Sequence, residues 1–378
     1  METKTKYTLA GALLLAVIAA ILAANMASTG LFAMQQTKTI TIGVTLPLTG
    51  DAATWGEETK KGVELAIDEI KNEIINGKKI EFIIEDDACD AKTALTAFNK
   101  LTNIDGTKII AGTICSSAAL AMAPEAMNNK ILLMASGASS PKIRTAGEYI
   151  FSIWPPDDLE GKVMADYIVQ KTNIKSAGII FINNEYGAGL KDSFENSAKE
   201  NGILIASTEA FEPGAKDFRT QLQKTKNALP DAIYIATNPG ELPTILRQAK
   251  EMQLNKQIFS NSAAVEAKEI TEDKTSVAEG VIYPLPKREL TQEFKDKYKS
   301  KYGTEAGFLS DTGYDSVKLI YLGLKACGDD NATCVKNYLL NVNNYQGASA
   351  ALSFNGKTTV TMPFEIKEIK NGKSIVID

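Results

Sequence analysis

Two short loops carry the residues best suited to chemistry in this chain, Cys115-Ser116-Ser117 and Ser136-Gly137-Ala138-Ser139-Ser140-Pro141. Each places paired serines directly after an apolar run, where a helix can start. Hydroxyls and free backbone N–H groups at such a place converge on an anion, and a carboxylate is the natural fit. Serines there also serve as plain helix caps, but two such loops at equivalent strand ends favour a shared anion site. Other chemistries are excluded by what is missing. The 378 residues contain no histidine, which removes Ser-His and Cys-His hydrolysis and His-bound zinc. There is no Gly-x-x-x-x-Gly-Lys-Ser/Thr, and no Gly-x-Gly-x-x-Gly follows the first apolar run at 40–46, so no nucleotide cofactor, and no cofactor of any kind, is expected. The acidic group Asp86, Asp87 and Asp90 lacks the ligand spacing of a calcium loop and reads as a solvated loop capping the next helix, not a metal site. Forty-one Lys and Arg stand against 46 Asp and Glu, a net charge of -5, which makes nucleic acid a poor partner.

The elements that must hold these loops alternate apolar runs of strand length with amphipathic stretches of helix length, the pattern of βαβ units in a parallel sheet. Strands are expected at 40–46, 79–86, 108–112 and 131–135, with helices near 57–72, 92–102 and 118–128 between them. After Trp154-Pro155-Pro156 the rhythm restarts, with strands at 177–182, 204–210, 232–236 and 257–260 and helices near 189–201, 217–227 and 241–252. Helices follow at 289–302 and 312–327, and the last 25 residues read as strands around Asn355-Gly356 and Asn371-Gly372. The fold class is therefore α/β, two doubly wound lobes with parallel sheets joined by a three-crossing hinge. Lobe 1 is expected to comprise 39–154 plus 287–350, and lobe 2 155–286 plus 351–378, with crossings near 154, 285 and 350. Ligands of open α/β sheets lie beyond the carboxyl ends of the strands, so the serine loops should line a cleft between the lobes.

Residues 1–36 have the pattern of an export segment. Lys4 and Lys6 precede an uncharged stretch with an apolar core at 9–24, as in a signal peptide, and the sites for cleavage are weak enough that an uncleaved membrane anchor remains an alternative. The protein would then work outside the cytoplasm, in the periplasm or at the cell surface. Four cysteines fall in two spaced pairs, Cys89 with Cys115 and Cys327 with Cys334, which in an exported chain form disulfides.

Gly43 to Pro47, Thr49-Gly50, Trp55-Gly56 and Gly62, then Asp86-Asp87-Ala88-Cys89-Asp90, Cys115-Ser116-Ser117 and Gly137-Ala138-Ser139-Ser140-Pro141 stand in an order that resembles the leucine/isoleucine/valine-binding proteins. These are type I periplasmic solute-binding proteins of branched-chain amino acid ABC transporters. The likeness continues through Glu185-Tyr186-Gly187, Lys216-Asp217-Phe218 and 245–249 to Ala278-Glu279-Gly280. The resemblance implies that Ser116 and Ser139, with backbone of Gly137 and Ala138, hold a ligand carboxylate. It implies that Trp55 and Tyr186 lie against the ligand, and that Cys89 and Cys115 are bridged. Trp55 would otherwise be a core residue, but it sits in a Gly/Thr-rich loop.

Two positions depart from the family pattern: where it places a tyrosine and an ammonium-binding glutamate, this sequence has Asn238 and Ser262. Glu266 is the first acid after Ser260, and a buried ammonium without an anionic partner is costly. Either Glu266 or another acid supplies the charge, or the ligand is not an ordinary α-amino acid. The function expected is a non-enzymatic receptor delivering an amino acid or related small carboxylate to an ABC permease by cleft closure. The alternative is a sensor of the same fold signalling to a membrane partner. An enzyme is disfavoured, because no nucleophile and base motif is present.

Overall fold

The computed structural model describes residues 39–265 and 277–378. The expected export segment, 1–36, and Glu266 lie outside the described residues. The first sheet is built on β1 (Thr39–Leu46), paired in parallel with β3 (Lys78–Asp86) on one side and β4 (Ile109–Gly112) on the other. It continues through β5 (Leu132–Ala135) to β6 (Ile150–Ser152), and the short β2 (Ile74–Ile75) closes the far edge antiparallel to β3. Helices α1 (Ala53–Ile70), α2 (Ala91–Asn99) and α3 (Ser116–Asn129) connect the parallel strands. Helices cover both faces of such a sheet, and its strands are correspondingly apolar on both sides. Ile40, Ile42, Val44 and Leu46 of β1 are all fully buried.

The second sheet has seven strands, five of them parallel. Its parallel part is β7 (Ser176–Ile182), β8 (Leu204–Phe211), β9 (Ala232–Ala236), β10 (Gln257–Ser260) and β11 (Ile282–Pro286). Helices α4 (Asp157–Lys171), α5 (Glu185–Glu200), α6 (Arg219–Asn227) and α7 (Leu242–Glu251) accompany it. The chain then returns to the first sheet with α8 (Gln292–Tyr302), α9 (Ser310–Cys327) and α10 (Ala332–Leu340). Helix α9 packs on α1 so closely that a Cβ on Gly62 would lie 1.7 Å from the Ser310 carbonyl oxygen. After the small hairpin of β12 (Tyr345–Gln346) and β13 (Ala351–Leu352), β14 (Phe364–Lys370) and β15 (Lys373–Val376) add an antiparallel edge to the second sheet.

Three segments cross between the sheets and bond to one another. Ser152 N donates to Thr358 O at 2.9 Å, and Lys287 N donates to Pro363 O at 2.7 Å. The last crossing therefore falls near 360–363, later than the expected 350. The hairpin β12–β13 holds the chain on the first lobe, and Phe354 packs edge-on against Phe151 with ring centroids 5.2 Å apart. Helix α4 also differs from the expected pattern, in which no helix stood between 156 and 177. Its buried positions, Asp157, Glu160, Gly161, Met164, Ala165 and Ile168, keep helical spacing, but two acids and a glycine open the stripe.

Candidate ligand-binding site

The ends of β4 and β5 point at a cleft between the sheets, and each delivers a serine loop to it. Helix α3 begins at Ser116, two residues before the expected start, so Ser116 and Ser117 occupy its first turn, where N–H groups have no partner within the helix. Ser116 Oγ accepts the N–H of Ser139 at 3.2 Å and that of Ser140 at 3.0 Å. Both of these bonds use hydroxyl lone pairs, so the Ser116 O–H itself is left to donate. Ser117 Oγ is spent on the Cys89 carbonyl at 2.9 Å. The Cys89–Cys115 bridge forms, as does Cys327–Cys334, which clamps the turn between α9 and α10.

Aromatic rings make the apolar walls. Trp55 on α1 meets Tyr186 of the second lobe edge to face at 6.0 Å and Phe308 at 6.2 Å, and Phe308 in turn meets Trp154 of the first crossing at 5.3 Å. Behind them the Arg288 guanidinium lies over Trp154 at 4.7 Å and Phe308 at 5.3 Å, and pairs with buried Asp311 at 2.6 Å. Trp55 Nε1 is buried and has no hydrogen-bond partner.

The cavity is tightly closed, with a free volume of about 20 Å³. Of the residues singled out from the sequence, Trp55, Ser116, Gly137 and Ser139 line it from the first lobe, and Tyr186, Asn238 and Ser262 from the second. Ala138 does not; it is buried behind the wall, and its carbonyl accepts the Ser152 hydroxyl at 2.7 Å. Among the described residues the lining carries no Asp, Glu, Lys or Arg. The acidic group beside it does not form one solvated loop either. Asp86 accepts the Leu48 and Ala88 N–H groups, both at 2.8 Å, and Asp90 caps α2 through Thr93 N at 2.8 Å. Asp87 is wholly buried, and burial pushes its carboxyl up to about 7. Among the described residues no cluster of His, Cys, Asp or Glu is suited to a metal ion.

Behind the second-lobe wall sits a polar layer that motif spacing does not reveal. Asn261, fully buried, donates to Tyr186 Oη at 2.7 Å and to Thr237 O at 3.1 Å, tying the ends of β9 and β10 to α5. Glu160 on α4 accepts Ser262 N at 2.6 Å and Ser262 Oγ at 3.3 Å. One turn earlier, Asp157 is fully buried with both carboxyl oxygens free of hydrogen bonds, and the Tyr234 hydroxyl is likewise unpartnered. Burial raises Glu160 to about 7, and burial plus the Glu160 charge raises Asp157 well above the usual carboxylate range. At the cleft mouth the lobes are drawn together by ion pairs, Lys216 with Asp51 and Lys142 with Glu185, both at 2.7 Å. Arg144 adds a bidentate pair with Asp158 at 2.6 and 2.8 Å.

Two α/β lobes, three crossings and a cleft between them form a known architecture, and the sequence pattern of the periplasmic binding proteins matches residues 39–373. The chain belongs to the periplasmic binding protein family. Among its relatives is the leucine-, isoleucine-, valine-, threonine- and alanine-binding protein of Pseudomonas aeruginosa, 29% identical over 326 residues, covering 84% of this chain and 86% of the relative. Of the solved structures, a leucine-binding protein from Thermotoga maritima matches with a TM-score of 0.82 at 23% identity, covering 90% of this chain and 98% of the other. The branched-chain amino acid substrate-binding protein LivJ from Streptococcus pneumoniae, solved in complex with isoleucine, matches with a TM-score of 0.79 at 25% identity, covering 90% and 99%. This periplasmic binding protein thus has the type I fold of two α/β lobes. Among the described residues no helix is long and apolar enough to cross a membrane.

Proposed function

We propose that this periplasmic binding protein captures a small carboxylate, an amino acid of the branched-chain type or a close relative, outside the cytoplasm and delivers it to an ABC permease without transforming it. The observation that carries this reading is the Ser116 hydroxyl, held with its proton free at the start of α3 and facing an uncharged, aromatic-walled cavity. A carboxylate seated there takes the Ser116 O–H and the helix N-terminal N–H groups, while the aliphatic side chain lies against Trp55, Tyr186 and Phe308. The first lobe supplies the anion site and the second closes over it, with Tyr186, Asn238 and Ser262 completing the enclosure. Residues 1–36 serve export, as a signal peptide or a retained anchor, and the mass of the exported protein separates the two. Calorimetric titration of the purified protein with the aliphatic amino acids and with benzoate as an aromatic carboxylate tests the reading. Micromolar binding of an aliphatic amino acid supports it; no binding by any member of the panel overturns it.

A further inference from the structure

Among the described residues the cavity wall is uncharged, yet one layer behind it lies a carboxylate with no Lys or Arg beside it. Glu160 is wholly buried, and both of its oxygens are directed at one pocket-lining residue, Ser262, through its N–H and its hydroxyl. Among the described residues neither Glu160 nor Asp157 pairs with a Lys or Arg. A hydroxyl that donates to a carboxylate behind it turns its lone pairs forward, so Ser262 Oγ offers the cavity an acceptor polarised by that carboxylate. An ionised carboxylate in such a place is costly without a cation, and a bound ammonium on the far side of Ser262 is the cation the arrangement lacks.

We propose that Glu160, acting through Ser262, is the positioning residue that selects solutes carrying a protonated amine beside their carboxylate. The proposal rests on the reading that the cavity takes a small carboxylate. It places the anionic charge on α4, a hundred residues before the loop that follows β10. The groups that face Glu160 are Asp157 on its own helix, Tyr186 from α5 and Tyr234 from β9, with Ser262 from the loop after β10. From β14 and the C-terminus, Glu368 and Asp378 act on Tyr167 at the far end of α4. With no Lys or Arg beside it among the described residues and its carboxyl raised to about 7, Glu160 is partly protonated near neutral pH. An arriving ammonium favours the carboxylate, so binding releases a fraction of a proton near neutral pH and less at pH 9, where the group is more fully ionised.

The test pairs each of L-leucine, L-valine and L-alanine with the acid that lacks the amine, 4-methylpentanoate, 3-methylbutanoate and propanoate. Binding is measured by calorimetry at pH 7 and pH 9, in buffers of different ionisation enthalpy. The expected result is that the native protein prefers the amino acid and releases protons at pH 7. Glu160→Gln then weakens the amino acid about 10- to 100-fold, changes its amine-free partner by less than about threefold, and abolishes proton release. An unchanged preference in Glu160→Gln overturns this proposal while leaving the carboxylate reading intact. So does a native protein that binds the amine-free acids as tightly as the amino acids. Binding of neither class overturns both. If Glu160→Gln does not fold, Ser262→Ala, which removes the hydroxyl through which Glu160 acts, carries the same comparison, and an unchanged preference for the amino acid there overturns the proposal.

Discussion

Ser116→Ala is the substitution in which the two roles of one hydroxyl can be read apart. In the empty protein Ser116 Oγ is the acceptor for two N–H groups, those of Ser139 and Ser140, at 3.2 and 3.0 Å, in a loop where all three residues are buried. Alanine orphans both donors, each at about 1–3 kcal/mol, and partial relaxation brings the sum to about 2–4 kcal/mol. At about 2.1 cal/mol/K of unfolding entropy per residue, a chain of this length shifts by roughly 1–2 °C per kcal/mol, so the melting temperature of the ligand-free protein falls by roughly 2–8 °C. The second role appears only with ligand. Removing one hydroxyl donor to a carboxylate costs about 1.5–3 kcal/mol, or about 10- to 150-fold in affinity. Scanning fluorimetry without ligand and calorimetry with an amino acid that the native protein binds measure the two effects. Ser117→Ala is the internal comparison, because its hydroxyl is committed to the Cys89 carbonyl, and it should bind within about threefold of the native protein. Affinity of Ser116→Ala within threefold of native, or a melting temperature within a degree, refutes the argument.

Other expectations test the frame around the site. Gly62→Ala places a methyl 1.7 Å from the Ser310 carbonyl and should force α1 and α9 apart, costing at least about 2–3 kcal/mol in chemical denaturation; an unchanged midpoint would show that the helices can separate freely. Loss of the Cys89–Cys115 bridge, which closes a loop of 26 residues, should cost about 3–4 kcal/mol, and loss of Cys327–Cys334, with a separation of 7, should cost less. Because Cys89 and Cys115 line the cavity, only the first loss should also weaken ligand binding. Asp87 and Glu160 are raised to about 7, Asp315 to about 8 and Asp157 well above its usual value, chiefly by burial. The native state therefore binds more protons than the unfolded chain between about pH 4 and 8, and stability falls as pH rises through that window. Denaturation of the empty protein at pH 5.5 and 8.5 should show the lower pH to be the more stable, and the reverse order would contradict the assignment.

Strands and the serine loops at their ends were legible because their signals are local. A strand buried on both faces is an apolar run, such as 232–236, and a serine pair after such a run marks the turn into a helix. Helix α4 was not legible for a physical reason. Its core-facing stripe opens with Asp157, Glu160 and Gly161, so the residues that make the helix useful to the site erase the apolar periodicity that would reveal it. The acid near Ser262 escaped notice similarly. No carboxylate stands between 260 and 265 in the chain, whereas the fold brings Glu160 there from 102 residues away. Asn261, adjacent to an expected site residue, was equally hidden, because only the pairing of β9 with β10 puts it beside Thr237. The later third crossing follows from Phe354, whose packing on Phe151 joins residues some 200 positions apart.

The interleaving of the lobes also governs how the chain can fold. The first sheet is complete by Ser152, yet α1 is covered only when α9 arrives, more than 150 residues later. A growing chain lacking its last 70 residues can assemble the strands of its first lobe but cannot bury the α1 face or fix the hinge. Loop-closure entropy must be overcome over that whole span before the long-range contacts repay it, which makes folding slow relative to synthesis. The native first lobe thus cannot be completed until nearly all of the chain is present, so a truncation ahead of Ser310 would leave one face of its sheet layer uncovered.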